Sequence, residues 1–301
     1  MIVSVSRRSD IPRFAFDWFL EKLDAGFVEV PNPFNFHQKR RVSLLPSIHE
    51  PVQDKNPVEN QEDRAELFAF WTRDPASILE HADELGERGY RFYVMITLNA
   101  YPEILEPNCP SSGTVIKTMR MLADKIGADR VIWRYDPVFL SDKTDYEFHQ
   151  KNFAALAASL NGVTRRVIVS VYDEYAASER RLLKLEQSGV LKPFAHYESN
   201  DGSRGKKRLT LQIRQLLAGL SSAARAGGMD IQSCAEEDLS DLGIRSGACI
   251  DGEYISKIFH LKVPEKDSGQ KRPYCLCAQS VDIGTYGRCA AGCVYCYGLR
   301  S

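Results

Sequence analysis

Three cysteines lie close together near the end of the chain. Cys289, Cys293 and Cys296 sit in the stretch CAAGCVYCYG. Their C-x3-C-x2-C spacing lets a compact loop turn three sulfurs toward one centre. Three thiolates satisfy three irons of a [4Fe-4S] cube and leave the fourth iron without a protein ligand, whereas a cube that only carries electrons takes four cysteines. An open iron is a place where a substrate or cofactor can bind directly. The competing reading is a closed tetrahedral zinc with Cys277 as the fourth thiolate.

The chain has eight cysteines. Cys109, in EPNCPSSG, reads as an ordinary loop thiol. Cys234, Cys249, Cys275 and Cys277 then form a further set of four, enough for a second [4Fe-4S] cluster or a zinc. Their positions pull in opposite directions. Cys234 would end one strand, while Cys275 and Cys277 precede another, so the four share a site only if the loop before Ser280 climbs the height of a strand. The amino terminus, MIVSVSRRSDIPRF, has its apolar residues before its arginines, the reverse of a secretory signal. A cytoplasmic location is expected, where reduced thiols favour metal or redox chemistry over disulfides.

The elements that must position these sulfurs follow from periodicity. Short apolar runs rich in Val and Ile read as strands at 2–6, 27–31, 67–72, 92–98, 130–135, 166–172, 229–234 and 280–286. Helical patterns separate many of them. Asp10, Ile11 and Pro12 open one that Gly26 ends; Asp74 and Pro75 open another that precedes Gly89; a third stops at Gly127. Later ones fit 146–160, 178–187 and 207–225. Eight strands alternating with helices predict an α/β chain forming a (β/α)8 TIM-type barrel, with an open doubly wound sheet as the alternative. The polar segment 34–63 reads as a loop over the barrel mouth. The whole chain, 1–301, reads as one domain, with 234–298 its cysteine-rich, metal-binding portion.

In such a barrel the chemistry sits at the carboxyl ends of the strands. Those ends carry Arg7, Arg8, Arg73 and Arg134, which could meet carboxylate or phosphate groups. Arg73, Arg134, Asp136 and Asp173 are the candidate substrate-binding residues. For any single one, the plainer reading is a helix cap or an ion pair with a neighbour. The six histidines are scattered, and surface placement is the simpler reading of His81 and His196.

Composition narrows the partners. Lys and Arg total 39 against 40 Asp and Glu, a net charge of -1, so no global basic field exists to grip nucleic acid. The basic loop DGSRGKKR, 201–208, could touch a phosphate backbone, although a solvated charge run is the plainer reading. No apolar run approaches the roughly 20 residues of a membrane helix. No P-loop, dinucleotide fingerprint or nucleophile elbow occurs.

The terminal spacing, with Tyr295 just before the last cysteine, is similar to that of the radical S-adenosylmethionine superfamily. GCVYCY resembles the motif of spore photoproduct lyase. More closely, CAEEDLSDLGIRSGACIDG (234–252) and YCLCAQSVDIGTYGRCAAGCVYCY (274–297) resemble an uncharacterised prokaryotic domain-of-unknown-function family, whose carboxyl-terminal cysteines have been likened to the radical S-adenosylmethionine cluster. The resemblance implies a [4Fe-4S] cluster on Cys289, Cys293 and Cys296 that binds S-adenosylmethionine. It also implies a 5′-deoxyadenosyl radical that takes hydrogen from a small-molecule or nucleotide-like substrate, and a one-electron donor such as flavodoxin or ferredoxin. Two departures stand out. The cysteine loop follows the last strand instead of the first, which a circularly permuted barrel would reconcile. No Gly-Gly-Glu stretch is available to hold the methionyl amine. The end of the first strand would take that role, with Ser6, Ser9 or Asp10 accepting the amine and Arg7 or Arg8 meeting the carboxylate. A non-catalytic iron–sulfur carrier or sensor and a zinc-stabilised binding barrel are the alternatives.

Overall fold

The structure, a computed structural model, describes residues 1–32, 35–47, 64–198, 208–263, 274–287 and 289–299. Its centre is a parallel sheet of eight strands flanked by helices. In chain order the sheet strands are β1 (Ile2–Val5), β4 (Leu67–Thr72), β5 (Phe92–Thr97), β6 (Val131–Val138), β7 (Arg166–Val171), β8 (Asp230–Cys234), β9 (Arg245–Gly247) and β10 (Val281–Asp282). They lie side by side in that order except that β10 pairs with β1, giving β10-β1-β4-β5-β6-β7-β8-β9. β9 and β10 are the two edges; no pairing closes them into a barrel among the described residues.

Alternation along each strand divides the apolar residues between two cores, as strands buried on both faces require. On β4, Phe68 and Phe70 pack outward against Phe19 of α2 (Phe16–Ala25), while Leu67, Ala69 and Trp71 join Tyr93, Met95, Ile132 and Ile168 in an inner core. The stretch between β9 and β10 supplies much of the rest of that inner core, including Ala248, Cys249, Ile250, Ile255, Cys275, Cys277 and Ala278. Ala278 donates its N–H to the Ile250 carbonyl at 2.9 Å, tying the two halves of that stretch together. Helix ends follow their sequence signals. Asp10, Ser111, Asp145, Thr210 and Asp251 each accept a main-chain N–H at the start of a helix, and Gly26 ends α2 at φ 77°.

Two strand expectations need correction. The run at 27–31 is a strand but does not join the eight-stranded sheet. β2 (Phe27–Asn32) pairs antiparallel with β3 (Asn35–Ser43) in a separate hairpin. Val28 and Val30 are buried while Glu29 between them is exposed, the pattern of a strand with one wet face, unsuited to a sheet covered on both sides. The eighth sheet strand is instead β9, whose sequence RSG carries no apolar signal. The last strand, expected over 280–286, is only Val281–Asp282. Of the segment 34–63, β3 is a strand and 48–63 lies outside the described residues, as does most of the basic loop 201–208. The helix expected after Asp74 is broken at His81 into α3 (Ala76–Glu80) and α4 (Ala82–Glu87). Among the described residues, no helix is long and apolar enough to cross a membrane.

β10 holds its place through charge. The buried Asp282 carboxylate accepts hydrogen bonds from Ser4 Oγ (2.6 Å), Ser6 Oγ (2.7 Å), Arg7 N (2.8 Å) and Gly284 N (3.0 Å). A Cβ on Gly284 would stand 1.9 Å from Ser6 Oγ, so only glycine fits beside this knot.

His196 is buried, not on the surface. Its Nε2 accepts the Leu140 N–H at 2.8 Å, and its ring stacks on Phe139. His149 accepts from the Tyr135 hydroxyl at Nδ1 (2.8 Å) and donates from Nε2 to the Phe139 carbonyl (3.0 Å). Burial lowers His149 from 6.5 to about 4 and His196 from 6.5 to about 3. Both rings are neutral in the fold, so unfolding takes up protons below the ordinary value and stability falls with pH from about 6.5 toward 4. Each ring should cost roughly 2 kcal/mol between pH 7 and pH 5. Urea unfolding at the two pH values should show this loss, and His196→Gln, which keeps an acceptor for Leu140, should flatten the slope; an unchanged slope would refute the assignment.

Candidate metal centres

The cysteines assemble into two sets, and both lie around the carboxyl end of β1. The first set is buried in the inner core. Cys234, the last residue of β8, places its sulfur 3.1 Å from that of Cys249, two residues beyond β9. Cys249 also hydrogen-bonds Cys277, and Cys277 hydrogen-bonds Cys275. The loop before β10 therefore does reach the end of β8, because β10 is too short to hold it away. The hydrogen bond from Cys277 lowers Cys275 to about 7. Cys277 rises to about 11, its bond to Cys275 and its burial outweighing the bond to Cys249. Arg7 and Arg134 act electrostatically on this set: Arg7 on Cys277 and Cys249, Arg134 on Cys249.

The second set is the terminal loop. Cys293 is buried, and Cys289 and Cys296 are half-buried. Main-chain groups of Ala291 and Asp10 hydrogen-bond the Cys289 thiol, although burial still pushes it up. Gly298 N donates to Cys296 Sγ at 3.2 Å, and burial again pushes that thiol up. N–H groups aimed at cysteine sulfurs stabilise the thiolate form, as in iron–sulfur sites.

Four side chains anchor this loop: Glu106 and Asn99 are buried, and Arg73 and Arg181 are half-buried. Arg73, just after β4, pairs with Glu106 at 2.8 Å and donates to the Tyr295 hydroxyl, which itself donates to Glu106. Asn99 Nδ2 reaches both Glu106 and Tyr295 at 3.1 Å, and Asn99 Oδ1 accepts the Asp136 N–H at 2.9 Å. The Tyr295 ring stacks on Phe139 and meets Tyr101 edge-on. From α7 (Ala176–Gln187), Arg181 donates to the carbonyls of Val294 (3.0 Å), Leu299 (3.3 Å) and Cys296. Burial works against the Arg73 charge, but Glu106, Tyr295, Cys293 and Cys109 keep its pKa well above the ordinary value. Cys109, read from the sequence as an ordinary loop thiol, stands 3.9 Å from Cys293, sulfur to sulfur. Its bond to Cys293 raises Cys109 and lowers Cys293 to about 7.

The residues expected to bind cofactor and substrate are at this end of the sheet, with most of their polar atoms already engaged. Ser6 donates to Asp282 and accepts from Arg8 N. Asp10 accepts the N–H groups of Arg13 and Arg73, and burial raises it to about 6. Arg7 Nε is 3.5 Å from Asp282 and its guanidinium lies over Trp71; Arg8 Nη1 donates to the Gly284 carbonyl. Ser9 Oγ is 2.9 Å from the point where a Gly284 Cβ would stand. Arg134 is paired with Asp136, which also takes the Ser170 hydroxyl, and Asp173 accepts from Tyr197. Arg73 serves the terminal loop. Beside it a cavity of about 460 Å³ is lined by Asn99, Tyr101, Glu103, Glu106 and Cys109 among others, within the ~300–1,000 Å³ of small-molecule sites.

A domain model described as "Domain of unknown function (DUF1848)" matches residues 2–298. The chain belongs to the DUF1848 family. No curated protein matches it. Among solved structures it is similar to GH5_18 from Streptomyces cattleya in complex with GlcNAc, at 12% identity and a TM-score of 0.32, over 56% of this chain and 44% of that one. A second is the pneumococcal virulence factor StrH, at 10% identity and a TM-score of 0.22, over 55% and 35%. The DUF1848 chain thus spans less than half the length of either, and at these scores neither fixes its fold or activity.

Among the described residues, no three His, Cys, Asp or Glu side chains stand in the geometry of a single ion. All-thiol sets with nearby N–H donors and arginines fit zinc or iron–sulfur chemistry by ligand type. A four-iron cube spreads its thiolates wider than one ion does, whereas the Cys234–Cys249 and Cys109–Cys293 sulfurs stand 3.1 and 3.9 Å apart.

Glu106, Asn99 and Arg181 escaped sequence reasoning because isolated polar residues in loops and helices carry no spacing signal. Breaking a buried ion pair from one side costs about 3–5 kcal/mol. Arg73→Met should therefore lower the urea midpoint by an amount in that range, and adding Glu106→Gln should recover part of it. If Arg73→Met leaves stability unchanged, this pair does not anchor the loop.

Proposed function

We propose that this DUF1848 protein is an iron–sulfur enzyme of the radical S-adenosylmethionine type, with the catalytic cluster on Cys289, Cys293 and Cys296 and a second thiolate-held centre on Cys234, Cys249, Cys275 and Cys277. The observation that carries the reading is the grouping of thiols into two sets around the carboxyl end of β1, with no disulfide among them. The sheet is read as a (β/α)8 barrel left unsealed between β9 and β10. With β10 beside β1, the cysteine loop adjoins the first strand, as a circular permutation requires.

When bound, the cluster would supply the electron that cleaves S-adenosylmethionine to a 5′-deoxyadenosyl radical for hydrogen abstraction. The chain's own residues hold and shield. Arg73 and Glu106 fix Tyr295, and Arg181 clamps the loop's carbonyls, so the three sulfurs stay presented together. Arg7 and Arg134 offset thiolate charge in the inner set. With Ser6 and Asp10 committed to Asp282 and to main-chain N–H groups, Ser9 and Arg8 are the better candidates for the methionyl amine and carboxylate. Substrate would enter the mouth near Arg134, Asp136 and Asp173. Two centres of this kind imply a one-electron donor as partner, such as flavodoxin or ferredoxin.

Purified without oxygen, the protein should be brown and hold about eight irons per chain if both sets carry cubes. Dithionite with S-adenosylmethionine should yield 5′-deoxyadenosine. Cys293→Ala should abolish that product, and Cys277→Ala should remove about half the iron. Zinc in place of iron would sink the proposal. Intact iron without 5′-deoxyadenosine under any reducing condition would favour an electron carrier.

A further inference from the structure

We infer that Trp71 and Arg134 form a cradle above the inner core that takes a carboxylate group of the substrate. This rests on the reading above in one respect, that the mouth beside Arg134 and Asp136 receives a substrate; the two donors need no metal. Trp71 Nε1 and Arg134 Nε are buried and have no hydrogen-bond partner among the described residues. A buried N–H without an acceptor carries its full desolvation cost, so an acceptor brought in by a ligand is favoured there. Trp133 is the contrast within the same chain. It is also buried, and its Nε1 donates to the Leu98 carbonyl at 2.9 Å.

Alternation along the strands brings the two donors to one side of the sheet. Trp71 of β4 lies in the inner core with Met95 of β5 and Ile132 of β6. Trp71 pairs with Met95 and Met95 with Ile132, so Arg134 is the next inward residue toward the carboxyl ends. The Arg7 guanidinium lies 5.8 Å from the centre of the Trp71 ring. Arg7 and Arg134 both act electrostatically on Cys249 and on Tyr297. Two guanidiniums and two N–H donors that lack acceptors therefore surround one place, at the end of the sheet where a barrel-type site sits.

The charges already present choose the ligand. Arg7 stands beside Asp282 and Arg134 beside Asp136, so each guanidinium has one carboxylate near it. Little positive charge is left over, too little for a phosphate dianion. A monoanion adds a single charge, and a planar carboxylate offers two oxygens, one for each N–H. Asp136 is held by Arg134 and by the Ser170 hydroxyl, and it lies beside the cradle as an acceptor. A hydroxyl or ammonium next to the carboxylate of the ligand meets it there. The substrate class is thus a carboxylate with a neighbouring hydrogen-bond donor.

The test uses the full-length protein with isotope-labelled tryptophan, whose three indole N–H groups are those of Trp18, Trp71 and Trp133. In nuclear magnetic resonance spectra, Trp71→Phe identifies the Trp71 signal by its loss. Acetate, the probe, should move that signal downfield and saturably, while the Trp133 signal, held by Leu98, stays in place. Arg134→Lys keeps a charge beside Asp136 but loses Nε, and should raise the acetate midpoint several-fold. Acetate should also raise the melting temperature of wild type above that in chloride of equal ionic strength, and Trp71→Phe should lose that excess. Inorganic phosphate should act more weakly than acetate. S-adenosylmethionine should not compete with acetate, since its methionyl carboxylate belongs to Arg8. An unmoved Trp71 signal with no excess in melting temperature, stronger action by phosphate, or competition by S-adenosylmethionine would each overturn the inference. If acetate binds as expected while no 5′-deoxyadenosine forms, the carboxylate site stands and the radical reading falls.

Discussion

Glu106 is buried and Arg73 half-buried beneath the terminal loop, and an ion pair in that position is tolerable only when its remaining hydrogen-bonding capacity is met. Tyr295 and Asn99 meet it. This requirement joins the end of β4, the loop after β5 and the last residues of the chain at one point, although 222 positions separate Arg73 from Tyr295. The cysteine loop contains no helix or strand of its own. Its position therefore depends on charge satisfaction, helped by Arg181 and by the packing of the Tyr295 ring, more than on regular secondary structure.

A second buried charge does similar work at the sheet's edge. β10 has two residues, too few to hold a ladder alone. Asp282 compensates by taking four hydrogen bonds from β1, the residues after it and Gly284. Because β10 is so short, the chain before it is free to fold inward, and Cys275 and Cys277 reach the inner core beside Cys234 and Cys249. The strand that looks weakest in the fold is what allows the inner thiols to meet.

Between the two cysteine sets lies the end of β1. The Tyr297 hydroxyl donates to the Arg7 carbonyl, while the Arg7 side chain acts on Asp282, Cys277 and Cys249. A segment that the sequence offers as a cofactor clamp thus has a structural duty. Ser6 and Asp10 are absorbed by the fold. The cavity lies on the other flank of the terminal loop, next to Cys109, Asn99 and Glu106.

Sequence alone determined the α/β character, seven of the eight sheet strands and most helix ends, because strand burial, N-caps and terminal glycines are local signals of fixed period. It also singled out Cys289, Cys293 and Cys296 by their short spacing. It misread the 27–31 run by passing over the exposed Glu29, and it could not detect β9, which has three residues and no apolar pattern. Tertiary structure decided which sulfurs are neighbours. Cys109 and Cys293 are 184 positions apart, and Cys234 and Cys249 join Cys275 and Cys277 only after the chain has crossed the inner core. Contacts of that kind depend on buried charge pairs and on one unusually short strand. Nothing in the spacing of residues along the chain records either of them.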